Sequence, residues 1–372
     1  AIPFRQEAAG RLNGTRIAFT GTMTPPTHRP NLDVLRALAV LSVVAHHLHV
    51  HTGLPLPYLG VYGGMLGVQL FFVLSGYLIS ASAAQHSLQH YAVHRVMRIF
   101  PAYWVAFALL ALMVSWRLPL ERITEHPGAF LLSLANLQQL YAVALLEMDV
   151  LSVSWTLTVE VLWYAVAPLV LLATRRSPWA TFVSLLCIST AWTFLASRQL
   201  LTPLYATGLE ALSRPPLPGQ LHVLIASAFP AQLVFFGLGS LVFHYRDRLH
   251  AVPMGVWPAT AGACLAALPW TSAWPMLSGP VGGLGLTALF VWLLRSPDLP
   301  FLFLRFTGRI SYSIYLLHFP IIVAAYKRFG HLGTVHLVIT LALIFGLAWL
   351  LYRWVERPGM ALARRWTSPT SS

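Results

Sequence analysis

Apolar residues fall in long, nearly unbroken blocks, each close to the roughly 20 residues a helix needs to cross a bilayer. Ten such blocks predict spans over 32–52, 61–83, 99–116, 156–174, 179–197, 224–244, 252–271, 277–295, 308–326 and 334–355. The blocks are continuous rather than alternating, so a transmembrane barrel is not expected. A further apolar stretch, 128–147, carries Asn136, Gln138 and Gln139 and is bracketed by Pro127 and by Glu147 and Asp149. It predicts a re-entrant or interfacial helix. The expected fold is all-α, a polytopic transmembrane helix bundle of about ten spans. An N-terminal segment over 1–30, a transmembrane domain over 31–358 and a tail over 359–372 complete the expected organisation. The first segment lacks the apolar core of a signal peptide, and Met23 is the expected native start.

Composition agrees with this pattern. Of 372 residues, 57% are apolar and 9% charged, with a mean hydropathy of +0.67. Soluble domains carry about 25% charged residues, so this chain has too few to cover a water-facing surface. The net charge of +13 would suggest nucleic acid in a soluble protein. Here it follows the positive-inside rule, and no nucleic-acid partner is expected. Ten spans put both termini on one side, together with all basic residues except Arg117, Arg122, Arg198, Arg214, Lys327 and Arg328. That asymmetry predicts cytoplasmic termini. Cys187 and Cys264 lie in apolar runs and imply no disulfide.

Candidate chemistry lies where ionisable residues interrupt the apolar blocks. In the first span, Arg36 and His47 are eleven residues apart, which puts them on one helix face and roughly 16 Å apart along the axis. Asp33 is spaced to pair with Arg36. Histidines at 46, 47, 49 and 51 crowd the far end, and His47 and His51 have metal-like spacing. No third ligand is near, so no metal is expected. Arg95 and Arg98 share a face at the lip of the third span, where two guanidiniums can fork onto phosphates. Glu160 interrupts the middle of an apolar run and needs a partner. His318 is a further in-span imidazole, followed by Pro320, which is expected to kink its helix.

Six motifs in order carry a resemblance to a known family: LDVLRALAVLSVVAHH (32–47), GVQLFFVLSGYLI (67–79), HRVMRIFPAYW (94–104), SWTLTVEVLWY (154–164), GRISYSIYLLHFP (308–320) and VERP (355–358). Together they resemble the acyltransferase-3 family of membrane acyltransferases. The resemblance implies transfer of an acyl group, usually acetyl, from cytoplasmic acyl-CoA to a hydroxyl. It puts the family's Arg-x10-His pattern on Arg36 and His47, and its basic pair on Arg95 and Arg98. Many members carry an acid where this chain has Gln69, and some carry an added esterase-like domain. This chain reads as a stand-alone version.

The expectation is an acyl-CoA-dependent O-acyltransferase with His47 as general base, oriented by Glu160 or another polar group. Arg36, Arg95 and Arg98, and beyond them Arg305 and Arg309, are the expected cations for the CoA head. Asp33, Ser75, Tyr164 and His318 are candidate supports. Acetyl-CoA or another acyl-CoA is a co-substrate, and no tightly bound cofactor is expected. The expected acceptor is a bacterial surface or exported polysaccharide, or its lipid-linked precursor. Loop residues Gln138, Gln139, Tyr141, Glu147, Asp149, Tyr205 and Glu210 are available to meet it. A macrolide or other small alcohol is the alternative acceptor. A proton-coupled transporter is the alternative of another class, since it too needs in-span His, Glu and Arg.

Overall fold

A computed structural model describes residues 29–83, 87–113, 120–217, 219–330 and 332–367. The first 28 residues, with Met23, lie outside the described residues, as do Arg117 and the last five positions of the tail. The described chain is helical throughout: α1 Pro30–Thr52, α2 Leu59–Ala83, α3 Leu88–Met113, α4 Leu120–Glu125, α5 Pro127–Leu134, α6 Ala142–Glu147, α7 Trp155–Arg176, α8 Pro178–Ser197, α9 Ala206–Glu210 and α10 Phe229–Leu249. The second half adds α11 Val256–Thr271, α12 Pro275–Arg295, α13 Leu302–Arg309, α14 Ser311–Phe329, α15 Thr334–Leu351 and α16 Arg357–Thr367. Single π-helical turns precede α10 (His222–Ala226) and join α15 to α16 (Tyr352–Glu356).

Each expected span coincides with a helix. Among the described residues seven helices are long and apolar enough to cross a membrane, and the bent pair α13 and α14 makes an eighth. The two others are α10, whose end carries Arg246, Asp247 and Arg248, and α11, of 16 residues. The protein is a multi-pass helical membrane protein. Large apolar side chains on the outside of α8 and α15, among them Trp179, Ile188, Val335 and Leu343, are exposed, as lipid-facing residues are. Two expectations change in form. The stretch 128–147 is not one helix but α5, a 3₁₀ turn at Gln138–Leu140 and α6. The last-but-one span bends by 79° at Ile310, between α13 and α14, while α14 continues through Pro320.

α1 starts with proline in its first turn and Asp33 beside it, both favoured at a helix N-terminus. It ends at Gly53, whose φ of 71° lets its N–H reach the His49 carbonyl. Asn31 anchors the start: its amide donates to the Leu293, Ser296 and Pro297 carbonyls and accepts from the Leu299 N–H. α2 runs through the centre, packed between α1 and α10. Association in lipid relies on close packing, which small residues permit. A Cβ on Gly76 would overlap the Phe236 carbonyl of α10, and one on Gly239 the Val73 carbonyl of α2. Trp163, fully buried, stacks on Phe236 at 4.6 Å and joins α7 to this core.

Candidate active site

The same close packing brings α1 against α13 and α14, and this contact builds one half of the site. His47 Nδ1 lies 3.0 Å from His318 Nε2. The other nitrogen of His318, Nδ1, faces two carbonyls, Tyr315 O at 2.8 Å and Ile314 O at 3.2 Å. A carbonyl only accepts, so His318 carries its proton on Nδ1 and offers Nε2 as an acceptor. His47 therefore donates from Nδ1, which leaves its own Nε2 with a free lone pair. His318 is wholly buried, and the Phe319 ring closes the other side of His47 at 4.9 Å. The remaining histidines have other partners or positions. His46 Nδ1 meets the Gly60 carbonyl at 2.6 Å, His49 Nδ1 meets the Leu54 carbonyl at 2.7 Å, and His51 stacks beside His47. No group of three or more His, Cys, Asp or Glu side chains is placed to hold a metal among the described residues.

The other half is a cavity of about 160 Å³ lined by Arg36, Arg95, Arg98, Glu160, Tyr164 and Tyr315, with apolar walls from α2 and α3. Three cations from two helices thus meet at one opening. Two are already paired. Arg36 Nη1 donates to Asp33 Oδ1 at 2.9 Å, and Arg98 Nη1 to Glu356 Oε1 at 2.5 Å. Glu356 is 1% exposed and also accepts from Ser313 Oγ at 2.9 Å. Arg95 differs. It lies between the Tyr91 and Tyr164 rings, 5.5 Å from each centroid, and its buried Nε has no hydrogen-bond partner. A guanidinium held by aromatic faces with open N–H groups is arranged to receive an anion.

Glu160 belongs to this cavity. Ser75 Oγ donates to its Oε1 at 2.6 Å, and of Glu160 and the other polar groups expected to orient His47, the one in hydrogen-bond contact with it is His318. Arg309 reaches Asp33 at 3.5 Å from a half-exposed side chain, and neither it nor Arg305 lines the cavity. Thr156 and Tyr315 link the two halves: their hydroxyls are 2.7 Å apart, Tyr315 lines the cavity, and its carbonyl holds His318. Sequence reasoning passed over Glu356 and Tyr315. The signal for Glu356 was its place in the terminal VERP motif, next to an arginine-rich end.

The loop residues available for an acceptor are mostly spent inside the protein. Gln138 and Gln139 are buried, and Gln139 Nε2 donates to the Val223 and Ser227 carbonyls. Glu147 takes an ion pair from Arg122 and hydrogen bonds from Ser213. Burial works to raise its carboxyl, but these bonds outweigh that and hold it below the usual range. Asp149 accepts from Leu151, Ser152 and Ser154, and burial pushes its carboxyl up to about 6.

Comparison with known proteins gives this geometry its family. The family model Acyl_transf_3, described as an acyltransferase domain, matches residues 29–353. Bacillus subtilis YrhL, which bears the name of a peptidoglycan O-acetyltransferase, is 26% identical over 88% of this chain; the match covers 54% of YrhL, about half its length. Komagataeibacter xylinus BcsY, named as a membrane-bound transacylase, is 27% identical over 92% of this chain and 85% of its own. Nodulation protein 10 of Rhizobium leguminosarum is 28% identical, over 90% and 94% respectively. No solved structure matches. With one family model matching nearly the whole described bundle, the chain belongs to the acyltransferase-3 family.

Proposed function

We propose that this protein is a membrane O-acyltransferase that moves an acyl group, acetyl in the simplest case, from cytoplasmic acyl-CoA to a hydroxyl. The acceptor hydroxyl belongs to a bacterial cell-surface or exported polysaccharide or its lipid-linked precursor. The hydrogen-bond chain from the Tyr315 carbonyl through His318 to His47 carries this reading, because it leaves His47 Nε2 as an oriented base. In the reaction Nε2 takes the hydroxyl proton as the oxygen attacks the thioester carbonyl. The C–S bond then breaks, and the thiolate recovers the proton from His47. His318 serves as a positioning residue, fixing the tautomer. The CoA phosphates lie against Arg95, with Arg36 and Arg98 adding field from their ion pairs. Glu160 and Ser75 line the same cavity and shape the donor side.

The name of one relative favours a glycan acceptor, since a peptidoglycan O-acetyltransferase transfers acetyl to a glycan. The test is acetyl-CoA binding and slow acetyl-CoA hydrolysis by the purified protein. Binding is expected in wild type and in His47→Ala, with hydrolysis only in wild type. Folded wild type that binds neither acetyl-CoA nor longer acyl-CoAs refutes the reading.

A further inference from the structure

A second cavity, of about 600 Å³, opens at the opposite end of the bundle, between the N-terminal halves of α2, α10 and α12 and the C-terminal ends of α8 and α11. It is separate from the arginine cavity, sharing none of its lining residues. It is also separate from His47. On α2, Gly60, Gly63, Gly64 and Gly67 form the seam against α1, where an added Cβ would collide with His49, Ser42, His46 or Ala39. Tyr62, Met65, Leu66 and Gln69 point to the other cavity. At 100° per residue the two sets lie on opposite faces of the helix. One helix diameter, about 10 Å, thus stands between this cavity and α1.

Its chemistry is consistent along the wall. Gln69, Thr193, Gln199, His222, Gln232 and Ser278 supply amides, hydroxyls and an imidazole, while among the described residues no Asp, Glu, Lys or Arg lines it. Gln232 is 3% exposed, and its buried Oε1 has no hydrogen-bond partner among the described residues. A buried acceptor left unpaired at the wall of a polar cavity is a group that a small rotation of the Gln232 amide would offer to a donor from a ligand or solvent. Two local distortions border the space. The π-helical turn His222–Ala226 contributes His222, and Gln199 holds a φ of 60°, a conformation a non-glycine side chain rarely adopts. Such irregularities cluster at binding sites, where they aim side chains that a regular helix would not. The volume lies inside the about 300–1,000 Å³ range of small-ligand sites.

We infer that this outer cavity binds a neutral, polyhydroxylated sugar ring. The inference rests on the acyltransferase reading, and it assigns the cavity to the non-reacting part of the acceptor. Hydroxyls of the ring meet the Gln232 amide, and the remaining amides and hydroxyls of the wall satisfy the rest of the ring. The absence of lining charges disfavours carboxylated sugars and phosphate. Binding energy gathered at a remote ring is available to position a hydroxyl near His47.

The test uses the full chain in nanodiscs, with cellotetraose and chitotetraose as neutral probes and tetragalacturonate as the anionic one. A glucosyl-diacylglycerol added to the bilayer distinguishes a lipid headgroup from a free glycan. Saturation-transfer NMR and titration read binding directly, without turnover. At least one neutral probe is expected to bind and tetragalacturonate not to. Gln232→Leu should weaken that binding about tenfold, the loss of one good hydrogen bond. Gln199→Gly, which removes the side chain while suiting the positive φ, should weaken it several-fold and guards against misfolding of the buried variant. Acyl-CoA binding on the same preparations is the independent reading of the donor site. If acyl-CoA binds and no neutral probe does, or if both variants bind the probes as wild type does, the cavity assignment is overturned. If the neutral probes bind and acyl-CoA does not, the donor reading fails and the cavity assignment stands.

Discussion

His47 donates from Nδ1 to Nε2 of His318 across 3.0 Å, and His318 is itself locked by the carbonyls of Tyr315 and Ile314. The two rings come from helices far apart in sequence, α1 and α14, yet share one proton direction. An imidazole whose tautomer is set by a buried neighbour needs no reorganisation to act as the proposed base.

His47→Ala, which removes the proposed base, should cost about 10²–10⁴-fold in transfer rate. His318→Ala should lower kcat by about 10–10³-fold while KM for acyl-CoA stays near wild type, since His318 is not in the arginine cavity. His318→Gln should recover part of that loss, because its amide oxygen can accept from His47 Nδ1. A purely structural role predicts a different pattern, in which kcat and thermal stability fall together and glutamine rescues nothing.

The arginines should separate by their partners. Arg98→Met leaves the Glu356 carboxylate buried beside Ser313 alone, a loss of about 3–5 kcal/mol in stability. Replacing both, Arg98→Met with Glu356→Leu, should restore most of it, as a thermal-unfolding cycle would show. Arg95→Ala breaks no ion pair and should cost little stability but most of the acetyl-CoA affinity. Equal destabilisation by Arg95→Ala would mean that its place between Tyr91 and Tyr164 is structural.

Close backbone approach should make two glycines irreplaceable. A Cβ on Gly308 would overlap the Asp33 carbonyl, where α13 crosses α1, and one on Gly76 would overlap that of Phe236. Backbone cannot yield as a flexible side chain does, so Gly308→Ala and Gly76→Ala should each destabilise by about 1–3 kcal/mol or more. Gly346→Ala, with open space around it, is the control and should be neutral or slightly stabilising. Detergent-melt temperatures of the three variants decide it.

How much of this was legible in the sequence depended on whether one helix or two were needed. Block length located every long helix, and the eleven-residue spacing put Arg36 and His47 on one face of α1. Which helix opposes that face is not a property of α1, so its sequence leaves open which polar group, Glu160 or another, stands beside His47. Arg95 and Arg98 look alike at i, i+3. Only packing tells them apart, because Glu356, from the far end of the chain, reaches Arg98 alone. The break at Ile310 was hidden for a similar reason. Pro320 was the visible breaker, but in lipid a helix tolerates proline, whereas the turn from α13 to α14 is set by α13 lying across α1. Gln139 reads as a loop amide because nothing in its own stretch reveals the Val223 and Ser227 carbonyls that its Nε2 reaches, and the burial of Gln138 is set by the same packing.

Asp149 gives a pH signature outside the spans. Its Oδ1 accepts from the Leu151 and Ser152 N–H groups and from Ser154 Oγ, and Oδ2 accepts from the Ser154 N–H. These bonds favour the charged form, but burial dominates and the carboxyl rises to about 6 from 3.8. Below 3.8 the folded and unfolded chains both hold the proton. Between 3.8 and about 6 the unfolded chain releases it while the folded one keeps it, so stability falls as pH rises through that window and then levels off. The gap amounts to about 2 kcal/mol once partial exposure is allowed for. Asp149→Asn cannot titrate, so other groups cancel in the difference between it and wild type. Measured from pH 4 to 7, wild type should lose about 2 kcal/mol relative to Asp149→Asn, most of it before pH 6.5. A difference that stays flat, or that moves toward wild type as pH rises, would mean that the four hydrogen bonds outweigh burial and the carboxylate is charged throughout.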